Sequence, residues 1–241
     1  MKKNNKLTGK IMKGVGGFYY VDAACALYEC RARGVFRKQG RTPLVGDIVD
    51  IEPTDEEGVA FLTEIHPRKS EMIRPAVANV DQVILIFSCQ RPNPNPGLID
   101  RFLINMQKQD METVICISKI DTVDEKELAE LKEVYVSAGY RVVCISNETG
   151  QGIDEIRELI SGKTTVLSGP SGVGKSSLIN SLVPDFKAET GEISEKIGRG
   201  KNTTRHTEII PVDDDTMIID TPGYSSVEVL CQDEDEISSC M

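Results

Sequence analysis

The chain has 241 residues, with 28 Lys and Arg against 38 Asp and Glu and a net charge of −10. That length allows one large domain or two modest ones, and the acidic balance argues against unselective binding to duplex DNA. The charge is uneven: residues 1–70 carry 12 basic and 9 acidic side chains and the remainder 16 and 29, so a local nucleic-acid contact at the front end stands beside the plainer reading of a solvated surface. Seven cysteines, at positions 25, 30, 89, 116, 144, 231 and 240, form no C-x-x-C pair, and the basic start leads into no long apolar run. The expectation is a reduced cytoplasm, with no signal peptide and no membrane association.

In chain order, short β-like runs broken by Gly come first, at residues 17–21, 27–33, 47–51 and 60–65. Strands at this spacing without a convincing helix predict a small barrel of the oligonucleotide-binding (OB) type over residues 1–70. Its basic side chains, Lys10, Lys13, Arg31, Arg33, Arg37, Lys38 and Arg41, suit an RNA face. A barrel that docks protein, or braces the next domain, fits the same pattern equally well.

After residue 73 the period changes. Residues 83–87, Val-Ile-Leu-Ile-Phe, form a continuous apolar run of the kind buried on both faces of a sheet. A Pro/Asn stretch then leads to a helix at 98–109, a strand at 113–117, a helix at 125–138, a strand at 141–145, a helix at 153–160 and a strand at 164–167. A further helix runs through residues 178–182, residues 184–206 read as a mobile loop, and strands follow at 208–212 and 216–220. The alternation predicts an α/β domain with a parallel sheet over residues 71–228, followed by an acidic, disordered tail at 229–241.

Three motifs lie in this second region. Gly169-Pro170-Ser171-Gly172-Val173-Gly174-Lys175-Ser176 matches a phosphate loop, in which backbone N–H groups curl round a β-phosphate, Lys175 reaches the β- and γ-phosphates, and Ser176 ligates Mg²⁺. Ser177 continues it into the helix, whose positive end faces the same phosphates. Asp220-Thr221-Pro222-Gly223 ends an apolar strand, where Asp220 can hold a water on magnesium and the Gly223 N–H can sense a γ-phosphate. Ser118-Lys119-Ile120-Asp121 ends another strand. Asp121 can accept hydrogen bonds from guanine N1 and N2, and Lys119 can lie over the base plane. Ser146-Asn147 suits the loop whose backbone N–H meets guanine O6. Ser118 stands where such motifs usually carry Asn, so fewer bracing bonds and a weaker site are expected. The guanine motif precedes the phosphate loop, the reverse of the Ras-like order, as in a circularly permuted GTPase.

With the front barrel, this order resembles the circularly permuted, small-ribosomal-subunit-dependent GTPases of the RsgA/YjeQ/YloQ type. The resemblance includes Arg74-Pro75, Ala78-Asn79-Val80-Asp81-Gln82 and a switch-I-like Gly198-Arg199-Gly200-Lys201-Asn202-Thr203-Thr204-Arg205-His206. It implies GTP and GDP with Mg²⁺, hydrolysis stimulated by the 30S subunit, a role in late small-subunit maturation, and contact of the barrel with 16S rRNA. The protein is expected as a monomer without DNA or membrane partners. Thr203 or Thr204 would close onto Mg²⁺, and Lys175, Thr204 and Gly223 are the expected catalytic groups. Asn202 replaces the family's His, and Tyr224 stands where Ras-like enzymes carry the water-orienting Gln, which implies a very slow basal rate.

Members of this family continue into a zinc-binding module. Here Cys231 and Cys240, with no following His, make no closed zinc site, so the C-terminus reads as a natural truncation or an incomplete sequence. The alternative function is therefore a GTP-gated ribosome- or rRNA-binding module with little or no hydrolysis. An ATP-using phosphate-loop protein is the third reading.

Overall fold

A computed structural model describes residues 6–34, 36, 40–184, 207–223 and 226. Contacts divide the chain into two compact units. The first contains β1 (Leu7–Val15), β2 (Phe18–Ala23), β3 (Ala26–Ala32), β4 (Ile48–Pro53) and β5 (Val59–Ile65). β1 pairs antiparallel with β2, β2 with β3 and β4 with β5; β3 runs parallel to β5, and β4 returns antiparallel to β1. Every strand thus has two neighbours, and the sheet closes into an OB-like barrel without free edges. Period-2 alternation turns Ile11, Val21, Cys30, Ile51 and Leu62 inward, all 0% exposed. Each large apolar side chain of this kind stabilises the fold by about 1.5–3 kcal/mol. β1 escapes the run-by-run sequence reading because Lys and Gly dilute it. The close approach of β2 is what its Gly9 serves, since a Cβ there would stand 2.3 Å from Asp22 O.

The first unit continues past the barrel to Val80, whereas sequence pattern draws its boundary at residue 70. The extension, with short strands β6 (Glu71–Met72) and β7 (Val77–Ala78), is stitched on by backbone and side-chain bonds. Ala78 N donates to Val45 O at 2.9 Å, and Asn79 Nδ2 donates to Gly46 O at 2.8 Å. Asp47, 0% exposed, accepts from Arg68 Nε and Nη2 at 2.7 and 2.8 Å and from Leu44 N at 2.7 Å. The residues of β12 (Glu208–Pro211) up to Ile210 also group with the first unit. β12 pairs antiparallel with β1, and Lys13 Nζ meets Glu208 Oε2 at 2.7 Å.

The second unit is a parallel sheet of β8 (Gln82–Ser88), β9 (Thr113–Ser118), β10 (Arg141–Cys144), β11 (Thr164–Ser168) and β13 (Met217–Asp220). Its helices are α1 (Pro96–Lys108), α2 (Glu125–Ser137), α3 (Ile153–Ile160) and α4 (Lys175–Leu182). α1 and α2 start on side-chain caps, Asn95 to Leu98 N and Asp124 to Glu127 N. The spatial strand order is β10-β9-β8-β11-β13. The chain lays β8, β9 and β10 outward in one direction, then crosses to β11 and β13 on the other side. The crossover places a topological switch point between β8 and β11, where open parallel sheets leave a crevice at the carboxyl ends of their strands. Among the described residues no helix is long and apolar enough to cross a membrane.

Candidate functional site

The residues singled out in the sequence gather at those carboxyl ends. β11 finishes at Ser168, and Gly169 follows with φ +154; a Cβ there would stand 2.1 Å from Ile86 O on β8, so no other residue fits. Val173, 1% exposed, pins the middle of the loop. Gly174 (φ +99) then hands the chain to α4, whose unpaired N–H groups and positive end face the loop. Ser176 and Ser177 lie in the first turn of that helix.

Lys175 is 8% exposed, and its Nζ donates to Gly169 O at 2.7 Å and Pro170 O at 3.0 Å. Burial pushes its pKa down to about 8, against the opposing pull of the Asp220 carboxylate. Asp220 ends β13 in register with Leu167 and is 4% exposed. Thr221 Oγ1 donates to Leu167 O at 2.8 Å, which fixes the chain as it leaves the strand. It then carries Gly223 against the phosphate loop. A Cβ on Gly223 would lie 3.0 Å from Ser171 N and 3.2 Å from Lys175 Nζ. Ser168 Oγ is buried with no hydrogen-bond partner. A glycine cradle, a buried lysine, a buried carboxylate and an unsatisfied hydroxyl suit a polyanion with its cation. The residues present therefore fit a nucleotide with Mg²⁺.

The base-reading segments join the same loop. Ser118, fully buried, has its Oγ 2.6 Å from Val173 O and 3.2 Å from Phe87 O. Lys119 takes a left-handed conformation (φ +58), and its Nζ donates to Arg91 O and, at 2.8 Å, to Gly172 O. Burial lowers the pKa of this lysine, Arg91 adds to the effect and Asp121 opposes it. Asp121 sits in a single 3₁₀ turn, Ile120–Thr122. Its Oδ1 accepts from Ser146 Oγ, which leaves Oδ2 for a donor beyond the protein. Asn147 Nδ2 lies 3.4 Å from Gly174 O. Lys119, Ser118 and Asn147 thus reach three consecutive phosphate-loop carbonyls, those of Gly172, Val173 and Gly174.

Sequence reading placed Ser146 and Asn147 by their backbone alone; their side-chain bonds to Asp121 and Gly174 depend on β10 lying beside β9 and on the approach of α4. It also missed the wall opposite the loop. A cavity of about 450 Å³ lies between Pro170, Ser171, Val173 and Gly223 on one side and residues 92–95 with Leu98 on the other. The Pro/Asn stretch after β8 was its only sequence signal. Asn202, Thr203, Thr204, His206 and Tyr224, as well as Cys231, Cys240 and the acidic tail, lie outside the described residues.

On the barrel, Arg31 and Arg33 lie over aromatic rings, 4.8 Å from the Phe18 centroid and 6.0 Å from that of Phe61. Arg33 also pairs with Glu52 at 2.5 Å, and Arg41 donates to Ile65 O at 3.3 Å. Lys10 and Lys13 belong to β1, and Arg37 and Lys38 lie outside the described residues. Among the described residues no group of three or more His, Cys, Asp or Glu is placed to hold a metal ion.

The family model described as RsgA GTPase matches residues 65–230, and that of the RsgA N-terminal domain matches residues 8–60. A small ribosomal subunit biogenesis GTPase RsgA from Agathobacter rectalis is 50% identical over 246 residues, covering 97% of this chain and 82% of the relative. Its namesake in Alkaliphilus metalliredigens is 46% identical over 231 residues, covering 95% and 79%. Among solved structures, YjeQ from Thermotoga maritima superposes with a TM-score of 0.71 at 34% identity, over 90% of this chain and 75% of that one. YloQ, described as a circularly permuted GTPase, gives 0.68 at 34% identity, over 100% and 79%.

Proposed function

The chain belongs to the RsgA GTPase family, and we propose that its GTP hydrolysis serves assembly of the small ribosomal subunit, with that subunit as its activator. The naming of its relatives as small ribosomal subunit biogenesis GTPases supports the setting. One observation carries the site: the phosphate loop, the Asp121 segment and the Asp220–Gly223 segment meet at the carboxyl ends of β8, β9, β11 and β13, and three consecutive loop carbonyls join the base-reading side chains to the phosphate loop.

In this reading Asp121, held by Ser146, selects guanine through N1 and N2, the Asn147 N–H meets O6, and Ser118 and Lys119 brace the base pocket. The N–H groups from Gly169, through Ser171, Gly172, Val173 and Gly174, to Ser176 and Ser177 cradle the phosphates, with the Pro170 carbonyl turned to Lys175. Ser176 and Asp220, with Thr203 or Thr204, would hold Mg²⁺, which when bound supplies positive charge at the β- and γ-phosphate oxygens. Lys175 leaves its loop carbonyls for those oxygens and the Gly223 N–H meets the γ-phosphate. Both act where negative charge grows as water adds in line to the γ-phosphorus and the bond to the β–γ bridging oxygen breaks. The barrel contacts 16S rRNA through its arginine and lysine side chains.

Phosphate release from GTP, measured with and without purified 30S subunits, tests the proposal. A rise of at least tenfold on adding subunits is expected; typical activator gains in this chemistry reach about 10³–10⁵. Guanine-nucleotide binding with a flat rate would replace the activator model with a GTP-gated binding module.

A further inference from the structure

Ser118 occupies the place where guanine-reading motifs usually carry Asn, and the exchange has a consequence in hydrogen-bond supply. A carboxamide offers two donor protons and a hydroxyl one. Ser118 Oγ lies 2.6 Å from Val173 O, so its one proton is committed there; the next loop carbonyl, that of Gly174, accepts from Leu178 N at 2.9 Å and has a second lone pair for another donor.

A carboxamide does reach that carbonyl, but from the other base loop. Asn147 Nδ2 is 3.4 Å from Gly174 O, and it would stand 3.0 Å from a Cβ built on Gly174. Asn147 Oδ1 is buried with no hydrogen-bond partner, an unusual arrangement for an amide free to turn toward water. The preceding residue, Ser146, holds Asp121 through its own hydroxyl and is itself fixed by Thr149 N at 3.2 Å. One dipeptide therefore grips the base-reading carboxylate with one side chain and the start of α4 with the next.

We propose that the Asn147 side chain is a positioning residue that supplies, from the second base loop, the carboxamide brace Ser118 leaves unmade, so that seating the guanine fixes the phosphate loop. This role is separate from the Asn147 backbone contact to O6 and rests on the guanine reading of the site. The brace acts on the loop that cradles the β-phosphate, so its loss weakens GDP more than GMP. Removal of a residue that merely supports the fold would weaken both alike.

The test measures affinities of GDP·Mg, GMP and xanthosine diphosphate for the full chain and for Asn147→Ala, Ser118→Asn and the double variant, together with nucleotide-free melting temperatures. Asn147→Ala is expected to lower the GDP-to-GMP affinity ratio about five- to tenfold, the worth of one net hydrogen bond, with a melting temperature within about 4 °C of the parent. Ser118→Asn in the Asn147→Ala background restores GDP affinity to within about threefold. An unchanged GDP-to-GMP ratio in Asn147→Ala overturns the inference even if Ser118→Asn fails to fold. A parent chain that binds xanthosine diphosphate as well as GDP overturns the guanine reading, and this inference with it.

Discussion

Buried polar groups in the first unit and at the strand ends of the second unit's site are treated in opposite ways, although the second unit satisfies others, such as fully buried Gln82. In the first, Asp47 is fully buried but takes three hydrogen bonds, two from the Arg68 fork and one from Leu44 N. In the second, Ser168 Oγ and Asn147 Oδ1 are buried without partners, and Lys175 is buried deeply enough for its pKa to fall to about 8. A buried charge with its partners in place costs the fold little, and removing a partner is what destabilises it. Unsatisfied groups converging at the ends of parallel strands are an energetic cost that a ligand can offset.

Substitutions of Lys175 and Asp47 should therefore have opposite consequences. Lys175→Ala is expected to lower the hydrolysis rate by about a hundredfold or more, with little loss of thermal stability because the amine leaves a site where its charge is disfavoured. Asp47→Ala should do the reverse. It takes two bonds from Arg68, whose guanidinium keeps Glu71 and Thr42 O, and leaves Leu44 N unpaired, a loss of about 1–3 kcal/mol in denaturant titration, while the folded fraction keeps its nucleotide affinity.

pH acts on the same lysine. The free protein holds a proton on Lys175 only up to about pH 8, and a bound polyphosphate favours the charged amine, so binding takes up a proton above that pH. GDP affinity is expected to be flat below about pH 7.5 and to fall by up to tenfold by pH 9. Calorimetry in buffers of different ionisation enthalpy reads the proton directly. The same depressed pKa has the opposite sign for folding. Between about 8 and the ordinary lysine value near 10.4 the unfolded chain binds more protons, so this group's contribution to stability rises with pH. The smallest expected effect is Ser168→Ala, neutral or stabilising by up to about 1 kcal/mol in thermal melts, because it removes an unsatisfied buried hydroxyl.

Much of the second unit is legible in the sequence because its strands are continuous apolar runs and its glycines mark turns that no other residue can make. The phosphate loop, Asp121 and Asp220 each follow such a strand, and the sheet brings their ends together. The barrel is harder to read. β1 is interrupted by Lys and Gly, and the extension to Val80 depends on long-range bonds such as those between Arg68 and Asp47 and between Asn79 and Gly46. The side-chain braces of Ser146 and Asn147 were hidden for the same reason: each reaches a segment some 25 residues away in the chain or further. Ser118 was expected to brace poorly. Its single proton goes to the phosphate loop, with Oγ 2.6 Å from Val173 O and 3.2 Å from Phe87 O on β8.

We read the unsatisfied polar edge of the parallel sheet as a guanine-nucleotide site whose base Asp121 selects. Titration of the parent chain and Asp121→Asn with GDP and xanthosine diphosphate tests it most directly. An amide in place of the carboxylate loses its match to guanine N1 and N2 and gains one to the xanthine oxygen, so preference should invert, each way by about tenfold or more. Unchanged preference in Asp121→Asn would mean that Asp121 does not select the base.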